Sequence, residues 1–466
     1  MDRYRPIYHF TAPSNWMNDP NGPFQWKGEY HLFYQHNPAA PEWGDIHWGH
    51  AKSADLVNWT HLPAALSPSR ELGEHHCFSG CSVVSGGEVT LFYTSIGEGD
   101  RNPVAGAQQW MARGKDLRNW RKAEHNPVLT SDLHGDMNVT EWRDPYVWKE
   151  QDGWRMLLGG TEGGSGCGMI YQSDDLEHWT FRGILYRGEE SIWECPHLFR
   201  FGDQAVLFYS PSGPVRYISG TIRNDRLTDI VHRGTADYGG WEGYYASTGF
   251  VDEADRRILL GWVPEGSRGS RFPEAMDWAG ALALPRIVDL KPSGVLSMAP
   301  IPEIEALRGE CCRFTDLAIG QAPVHTGVRL TAFECVAEAG RRAGGEWIIS
   351  LFVSECGRES TDVRLCPADN TITIDRSRSS LFPGVHISPV QGKLPAGAND
   401  DPIKVRIFAD QSIIEVFVDD ETCLTARVYP SLPDSSGIAL HADSEMTIAK
   451  LEIWEMKAAA FAAESN

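Results

Sequence analysis

The chain has 466 residues, 42% of them hydrophobic and 23% charged, a globular composition too long for one ordinary core and suited to two or three domains. Its formal charge of −21 disfavours nucleic acid and anionic membrane surfaces as partners and fits a neutral small molecule or glycan. The 17 Trp point to a packed β core, a sugar-stacking site, or both.

No apolar run approaches the ~18 residues of a membrane span, so no membrane partner is expected. The start, Met1 to Pro6, has no apolar signal region, and a cytoplasmic location is the expectation. The ten Cys are scattered without zinc-type pairs and read as free thiols. His75-His76-Cys77 reads as a loop rather than a metal site, because adjacent histidines rarely chelate together. There is no phosphate loop and no zinc-type His-Glu-x-x-His, so neither metal nor cofactor is expected. The oligomeric state stays open.

In chain order, the first distinctive stretch is Trp16-Met17-Asn18-Asp19-Pro20-Asn21-Gly22. Pro20 biases Asp19 away from helix, and Asn21-Gly22 supplies a turn. Alone, this is a surface Asx turn. Two repeating series change that reading. Asp-Leu-x-x-Trp recurs at 55–59, 116–120 and 175–179, and the series has a period of about 60 residues. Apolar strands recur at Leu32-Phe33-Tyr34, Leu91-Phe92-Tyr93, Met156-Leu157-Leu158, Leu207-Phe208-Tyr209 and Leu259 to Trp262. Each follows a punctuated segment by a similar interval: Asn18-Asp19-Pro20, Ser79-Gly80-Cys81, Arg143-Asp144-Pro145, Glu194-Cys195-Pro196 and Tyr244-Tyr245-Ala246. Five units in phase predict an all-β five-bladed β-propeller over residues 1–300, each blade a four-stranded sheet. Residues 301–322 read as a linker. Alternating strands over 323–457, such as Gly345 to Phe352 and Ile413 to Val418, predict a C-terminal antiparallel β-sandwich. No acids or histidines stand out there, so it reads as a stabilising or glycan-binding module. The Ala-rich tail, 458–466, is uninformative.

The repeat phase puts Asp19, Asp144 and Glu194 in matching slots of units one, three and four. Matching slots in a radial repeat face one channel, so three carboxylates distant in sequence should converge. Two carboxyl groups flanking a bond are the minimum kit for glycoside hydrolysis. Glu194 has Trp193, Cys195 and Pro196 as neighbours, an apolar setting that suits a proton donor. Asp19 has Asn18, Asn21 and backbone donors close by, which should lower its pKa and suit a nucleophile. Arg143 should keep Asp144 ionised, for holding sugar hydroxyls. Cys195 either tunes its neighbouring acid or packs.

WMNDPNG at 16–22, FYQHNP at 33–38, Trp48-Gly49-His50, Phe78-Ser79-Gly80, Arg143-Asp144-Pro145 and Glu194-Cys195-Pro196 together resemble the motif set of glycoside hydrolase family 32, the invertases and fructanases. WAGALALPR at 278–286 and SIIEVF at 412–417 resemble that family's propeller end and sandwich. The resemblance implies a retaining reaction on terminal β-fructofuranosides, with a small sugar such as sucrose or a short fructooligosaccharide as the binding partner. Asp19 would be the nucleophile, Glu194 the acid/base and Asp144 the transition-state stabiliser. Asn18, Gln35, Trp43, Phe78, Ser79 and Arg143 would line the fructose subsite, Tyr244 would join the binding residues, and Trp16 and Trp262 would be hydrophobic walls. Trp43 has an alternative place in the propeller core.

Within that chemistry a fructanase, a sucrose-6-phosphate hydrolase and a fructosyltransferase stay open. A non-catalytic glycan-binding propeller is the alternative of a different class. A phosphorylated substrate would need rim cations, for which Arg101, Arg268 and Arg271 are the available residues. One departure stands out. Family members often carry Asp-x-Tyr-Ala, whereas Gly243 fills the Asp slot here, with Glu242 one residue earlier.

Overall fold

Strands with apolar middles must be covered on both faces, and the chain achieves this by setting five sheets face to face around an axis. In the computed structural model, the described residues are all but 1, 98–106, 267, 269–271, 273–275, 341–344, 398–400 and 465–466. The innermost strands of the five blades are Asn15–Trp26, His76–Ser85, Val139–Glu150, Glu194–Phe201 and Tyr245–Val251. Each contacts the next, and the fifth contacts the first, which closes the ring. The recurring apolar runs are the second strands of the blades. Leu32, Phe33, Leu91, Phe92, Leu157, Leu158, Leu207 and Phe208 are fully buried between neighbouring sheets. Arg101 and Arg271 lie outside the described residues.

The Asp-Leu-x-x-Trp series marks the turn between the third and fourth strands of blades one to three. Asp55 accepts from the backbone N–H of Val57 and Asn58, Asp116 from Arg118 and Asn119, and Asp175 from Glu177 and His178. The following Leu56, Leu117 and Leu176 all adopt positive φ, of 63°, 57° and 71°. Such backbone is unfavourable for leucine unless the surroundings fix it. Here the aspartate caps the turn, and Trp59 and Trp179 donate from Nε1 to the carbonyls of Leu56 and Leu176.

Every innermost strand carries a bulge at its channel end. Residues 18–19, 78–79, 144–145, 195–196 and 246–247 each oppose one residue of the second strand. A bulge bends the strand and re-aims its side chains, so these ten residues form a ring of redirected positions. Asp144, Cys195 and Ala246 open three of the bulges at φ of 62°, 47° and 50°.

Two six-stranded antiparallel sheets form the C-terminal sandwich, packed around Phe333, Ile349, Leu351, Val363, Ile407, Val416 and Leu440. The expected linker is shorter than 301–322. After the 3-10 helix Pro302–Leu307, the strand Arg308–Ile319 pairs with Met446–Met456 at the edge of one sheet. One face of this edge strand is solvent-exposed, so its sequence lacks a strong apolar alternation. The tail is also structured. Phe461–Ala463 adds a parallel strand to Trp59–His61 of the first blade.

The two domains meet through buried charge. Arg286, from the propeller's end, pairs with Asp237 at 2.9 Å and with Glu415 of the sandwich at 2.6 Å. His9 donates to Asp410 at 2.9 Å and to Glu415 at 3.0 Å. Burial disfavours the imidazolium, but the hydrogen bonds to Asp410 and Glu415 outweigh it and lift His9 to about 9. The sandwich, expected to lack notable acids, thus contributes two of them to its seam with the propeller.

Candidate active site

A cavity of about 580 Å³ opens at the end of the channel where the bulges lie, and Asp19, Asp144 and Glu194 all line it. They do not occupy one matching slot. In bulge register Glu194 precedes the bulge, Asp144 is its first residue and Asp19 its second. Convergence therefore comes from three successive positions on three blades. The repeat phase read from sequence was too coarse to see this, because a bulge adds a residue without a sequence mark.

Asp19 is gripped from its own blade and the next. Ser79 donates to Oδ2 at 2.5 Å, Asn18 Nδ2 to Oδ1 at 3.1 Å, and Gln35 Nε2 to Oδ2 at 3.4 Å. Asn18 also donates to Gln35 Oε1 at 2.6 Å and accepts from Trp16 Nε1 at 2.7 Å. Gln35 Nε2 donates to Ser79 Oγ as well. This chain of donors fixes one rotamer of the aspartate. The sequence expectation of a depressed pKa is overturned. Burial raises the Asp19 carboxyl above its usual value, and nearby Glu194 adds to this, while hydrogen bonds from Ser79 and Asn18 pull down without prevailing.

Asp144 departs from expectation in the same way. Burial is the largest influence and lifts its pKa to about 7, although Arg143 opposes it; Asp19 and Glu194 push it further up. Arg143 is turned to other partners: it pairs with Glu194 Oε1 at 2.6 Å and with Glu141. Asp144 is instead held by the backbone. Its Oδ2 accepts from Cys195 N–H at 2.9 Å, and its own N–H donates to Thr94 Oγ1 at 3.0 Å.

Glu194 stands in a polar rather than an apolar setting. One oxygen takes Arg143, and the other accepts from the Tyr245 hydroxyl at 2.6 Å. Cys195 lies between the two aspartates, its Sγ 3.5 Å from Asp19 Oδ2 and 3.6 Å from Asp144 Oδ2. Burial first, then these two acids, push its thiol pKa well up, so it is a donor and not a thiolate.

Trp16, Asn18, Gln35, Trp43, Phe78, Arg143 and Trp262 all line the cavity, and Ser79 reaches it through Asp19. Trp43 is part of the wall rather than the propeller core, its ring 6.1 Å from Phe78. Trp16 meets Trp262 edge-on at 5.8 Å. Tyr244 is the exception. It is fully buried away from the cavity, with Arg286 4.2 Å over its ring, and Tyr245 takes the site position. Successive residues of a strand point to opposite faces, so a shift of one residue exchanges core for cavity. Glu242 does not replace the missing aspartate either, since it pairs with Arg376 and His386 of the sandwich. Sequence reasoning also missed Trp241 and Glu265 on the rim. Glu265 is bound by Arg427, Tyr429, Arg268 and the Gly280 N–H, which makes it a domain-joining acid. The excess of tryptophan was the only sequence signal for Trp241.

Three clustered carboxyl groups, one arginine and an aromatic mouth are the equipment of a glycosidase. The profile of the glycosyl hydrolases family 32 N-terminal domain matches residues 9–300, and that of the family 32 C-terminal domain matches 303–455. The chain belongs to glycoside hydrolase family 32 and is a glycoside hydrolase. It is 33% identical to a cell wall isozyme of beta-fructofuranosidase from Zea mays, over 97% of this chain and 90% of that one. It is 32% identical to a sucrose-6-phosphate hydrolase from Zymomonas mobilis, over 99% and 94%. The crystal structure of fructan 1-exohydrolase IIa from Cichorium intybus superposes with a TM-score of 0.88 at 27% identity, covering 100% of this chain and 99% of that one.

Proposed function

We propose that this enzyme releases terminal β-D-fructofuranosyl units from sucrose or short fructooligosaccharides by double displacement with retention. Asp19 attacks C2 of the fructosyl unit as Glu194 protonates the departing oxygen. Glu194 then takes a proton from water, which displaces Asp19 and frees fructose. Asp144 holds fructose hydroxyls, and burial, which raises its carboxyl pKa, lets it donate as well as accept.

The observation that carries this reading is the unequal holding of the two acids. Asp19 is fixed by Ser79, Asn18 and Gln35, as a nucleophile must be. Glu194 is bracketed by Arg143 and Tyr245, two donors that can follow a carboxyl group through loss and gain of its proton. The names of similar proteins support the substrate class: one structure holds a silkworm β-fructofuranosidase with sucrose, another a chicory fructan exohydrolase with 1-kestose. Among the described residues, Arg143 is the one cation lining the cavity, and Arg268 is engaged by Glu265 and the Trp278 carbonyl.

The test is fructose and glucose release from sucrose, 1-kestose, inulin and levan, with Asp19→Ala as control. Release from at least one fructoside, abolished in the variant, is expected. Unchanged release in Asp19→Ala would overturn the mechanism.

A further inference from the structure

The family's usual carboxylate is missing at Gly243, and the fold shows what stands beside that gap. The 3-10 turn Gly240–Glu242 lies at the cavity rim and presents Trp241. This side chain is 50% exposed, and it is the one aromatic among the exposed large hydrophobic residues described. A single exposed indole is ordinary on a protein surface, but this one lines a cavity mouth beside Tyr245 and Trp262 and so offers a flat face to whatever the cavity binds. It is nonetheless well fixed. Its ring meets Tyr245 at 4.6 Å and 73°, and Trp262 at 5.7 Å and 89°.

The sandwich holds this turn in place. Glu242 pairs with Arg376 at 3.1 Å and with His386. Gly239 and Gly243 press against the Thr425 carbonyl so closely that a Cβ at either would overlap it, and Gly240 has φ of 57°. No side chain fits at 243, the usual carboxylate included. The turn packed in this way carries Trp241 at the rim.

Its place relative to the acids is defined. Tyr245, on which Trp241 packs, donates to Glu194. Trp262, its other neighbour, packs on Trp16, so Trp241 stands at the cavity mouth, outward of the floor formed by Asp19 and Asp144. A leaving-group sugar that projects from the floor past Glu194 and Tyr245 would pass this indole.

We propose that Trp241 is an aromatic platform for the leaving-group sugar, so that this enzyme holds that side of the bond by stacking. The proposal rests on the reading of Glu194 as proton donor to a fructoside. A flat apolar surface accepts a glucose or a fructose ring with little distinction, whereas hydroxyl-directed hydrogen bonds select among them. Glu242 is then a positioning residue, acting through the turn that carries the indole.

The experiment compares sucrose and 1-kestose with methyl β-D-fructofuranoside, whose leaving group has no ring. Trp241→Ala should raise KM for sucrose and 1-kestose about tenfold, equivalent to about 1.4 kcal/mol. Its kcat/KM on the methyl fructoside should stay within about twofold of wild type. Trp241→Phe should recover most of the loss, and Glu242→Gln should raise KM for the two sugars by a smaller factor with kcat retained. Equal losses on all three substrates, or no change on sucrose and 1-kestose, would overturn the platform. Wild-type enzyme that releases fructose from none of the three would overturn the fructoside reading itself, a result distinct from either.

Discussion

Among the buried charge clusters of the described residues, the domain seam and the cavity floor are built on opposite terms. At the domain seam, Asp237, Asp410 and Glu415 share Arg286 and His9, and backbone N–H groups fill the remaining acceptors. Asp410 takes the N–H of Ile7, Tyr8 and His9, and Glu415 that of Leu284. Burial would lift Glu415, yet Arg286 and His9 prevail and hold it below its usual value. Asp237, further from the histidine, is lifted by burial in spite of Arg286. At the cavity floor, Asp19, Asp144 and Glu194 share one arginine, and Arg143 spends part of its charge on Glu141. Burial prevails there for both aspartates. The seam is close to neutralised and holds the domains together. The floor is left short of positive charge, which costs stability and keeps protons near the reacting bond.

The largest expected effect sets the two regions directly against each other. Asp19→Asn should lower kcat on sucrose by about 10⁴-fold or more, the scale of losing a group in a covalent mechanism. Its thermal midpoint should stay level or rise, because a crowded buried charge is gone. Glu415→Ala should do the reverse. It takes one of two buried carboxylate partners from both Arg286 and His9, leaving them Asp237 and Asp410, and should cost about 3–5 kcal/mol in denaturant unfolding. Per folded molecule, activity should be retained. A stability loss in Asp19→Asn as large as that in Glu415→Ala would erase the distinction.

A smaller effect concerns pH. Asp144 titrates at about 7 when folded, against 3.8 ordinarily. Between these values the unfolded chain has released a proton that the folded protein retains. Folding stability from this group therefore falls as pH rises from about 4 to about 7, and is flat beyond. His9 acts at the other end: its pKa of about 9 exceeds the usual 6.5, so its stabilisation is full below about 6.5 and lost through about 9. Thermal midpoints measured across pH 4 to 10 should decline in two steps, and Asp144→Asn should shrink the first, to which Asp19 and Asp237 also contribute, and leave the second. Parallel curves for wild type and variant below pH 7 would show that Asp144 does not titrate there.

The fold was largely legible because its repeat is written twice, in the apolar second strands and in the Asp-Leu-x-x-Trp turns. Each has a local cause that recurs in every blade it marks. The site was legible down to which acids and which aromatic segments meet. What stayed hidden depends on neighbours distant in sequence. Arg143 immediately precedes Asp144 in the chain, but in space it serves Glu194 and Glu141. Tyr244 and Tyr245 are chemically identical, and only the direction each side chain takes, one into the core and one into the cavity, separates them. The strand Arg308–Ile319 was hidden by its exposed face, and the tail strand by its length.

The tail provides the smallest effect and the finest test of the comparison, because it joins the domains with almost no charge. Phe461 packs edge-on to Phe10 at 6.2 Å. Trp59 N–H donates to the Ala460 carbonyl at 2.8 Å, Ala460 N–H to Asn58 Oδ1 at 2.9 Å, and Glu464 N–H to the His61 carbonyl at 3.1 Å. Each such bond contributes about 1 kcal/mol net, and a half-buried aromatic about as much again. Ordering a terminal segment costs about 1–2 kcal/mol per residue, which cancels most of this. The surface pair of Arg118 and Glu464 adds little. Ending the chain after Ala459 should therefore lower stability by only about 1–2 kcal/mol, well below Glu415→Ala. KM and kcat on sucrose at 25 °C should not move, because the tail lies against the outer edge of the first blade, while the acids stand on the innermost strands. A changed KM in the truncated enzyme would mean that the outer edge of the blade is coupled to the cavity.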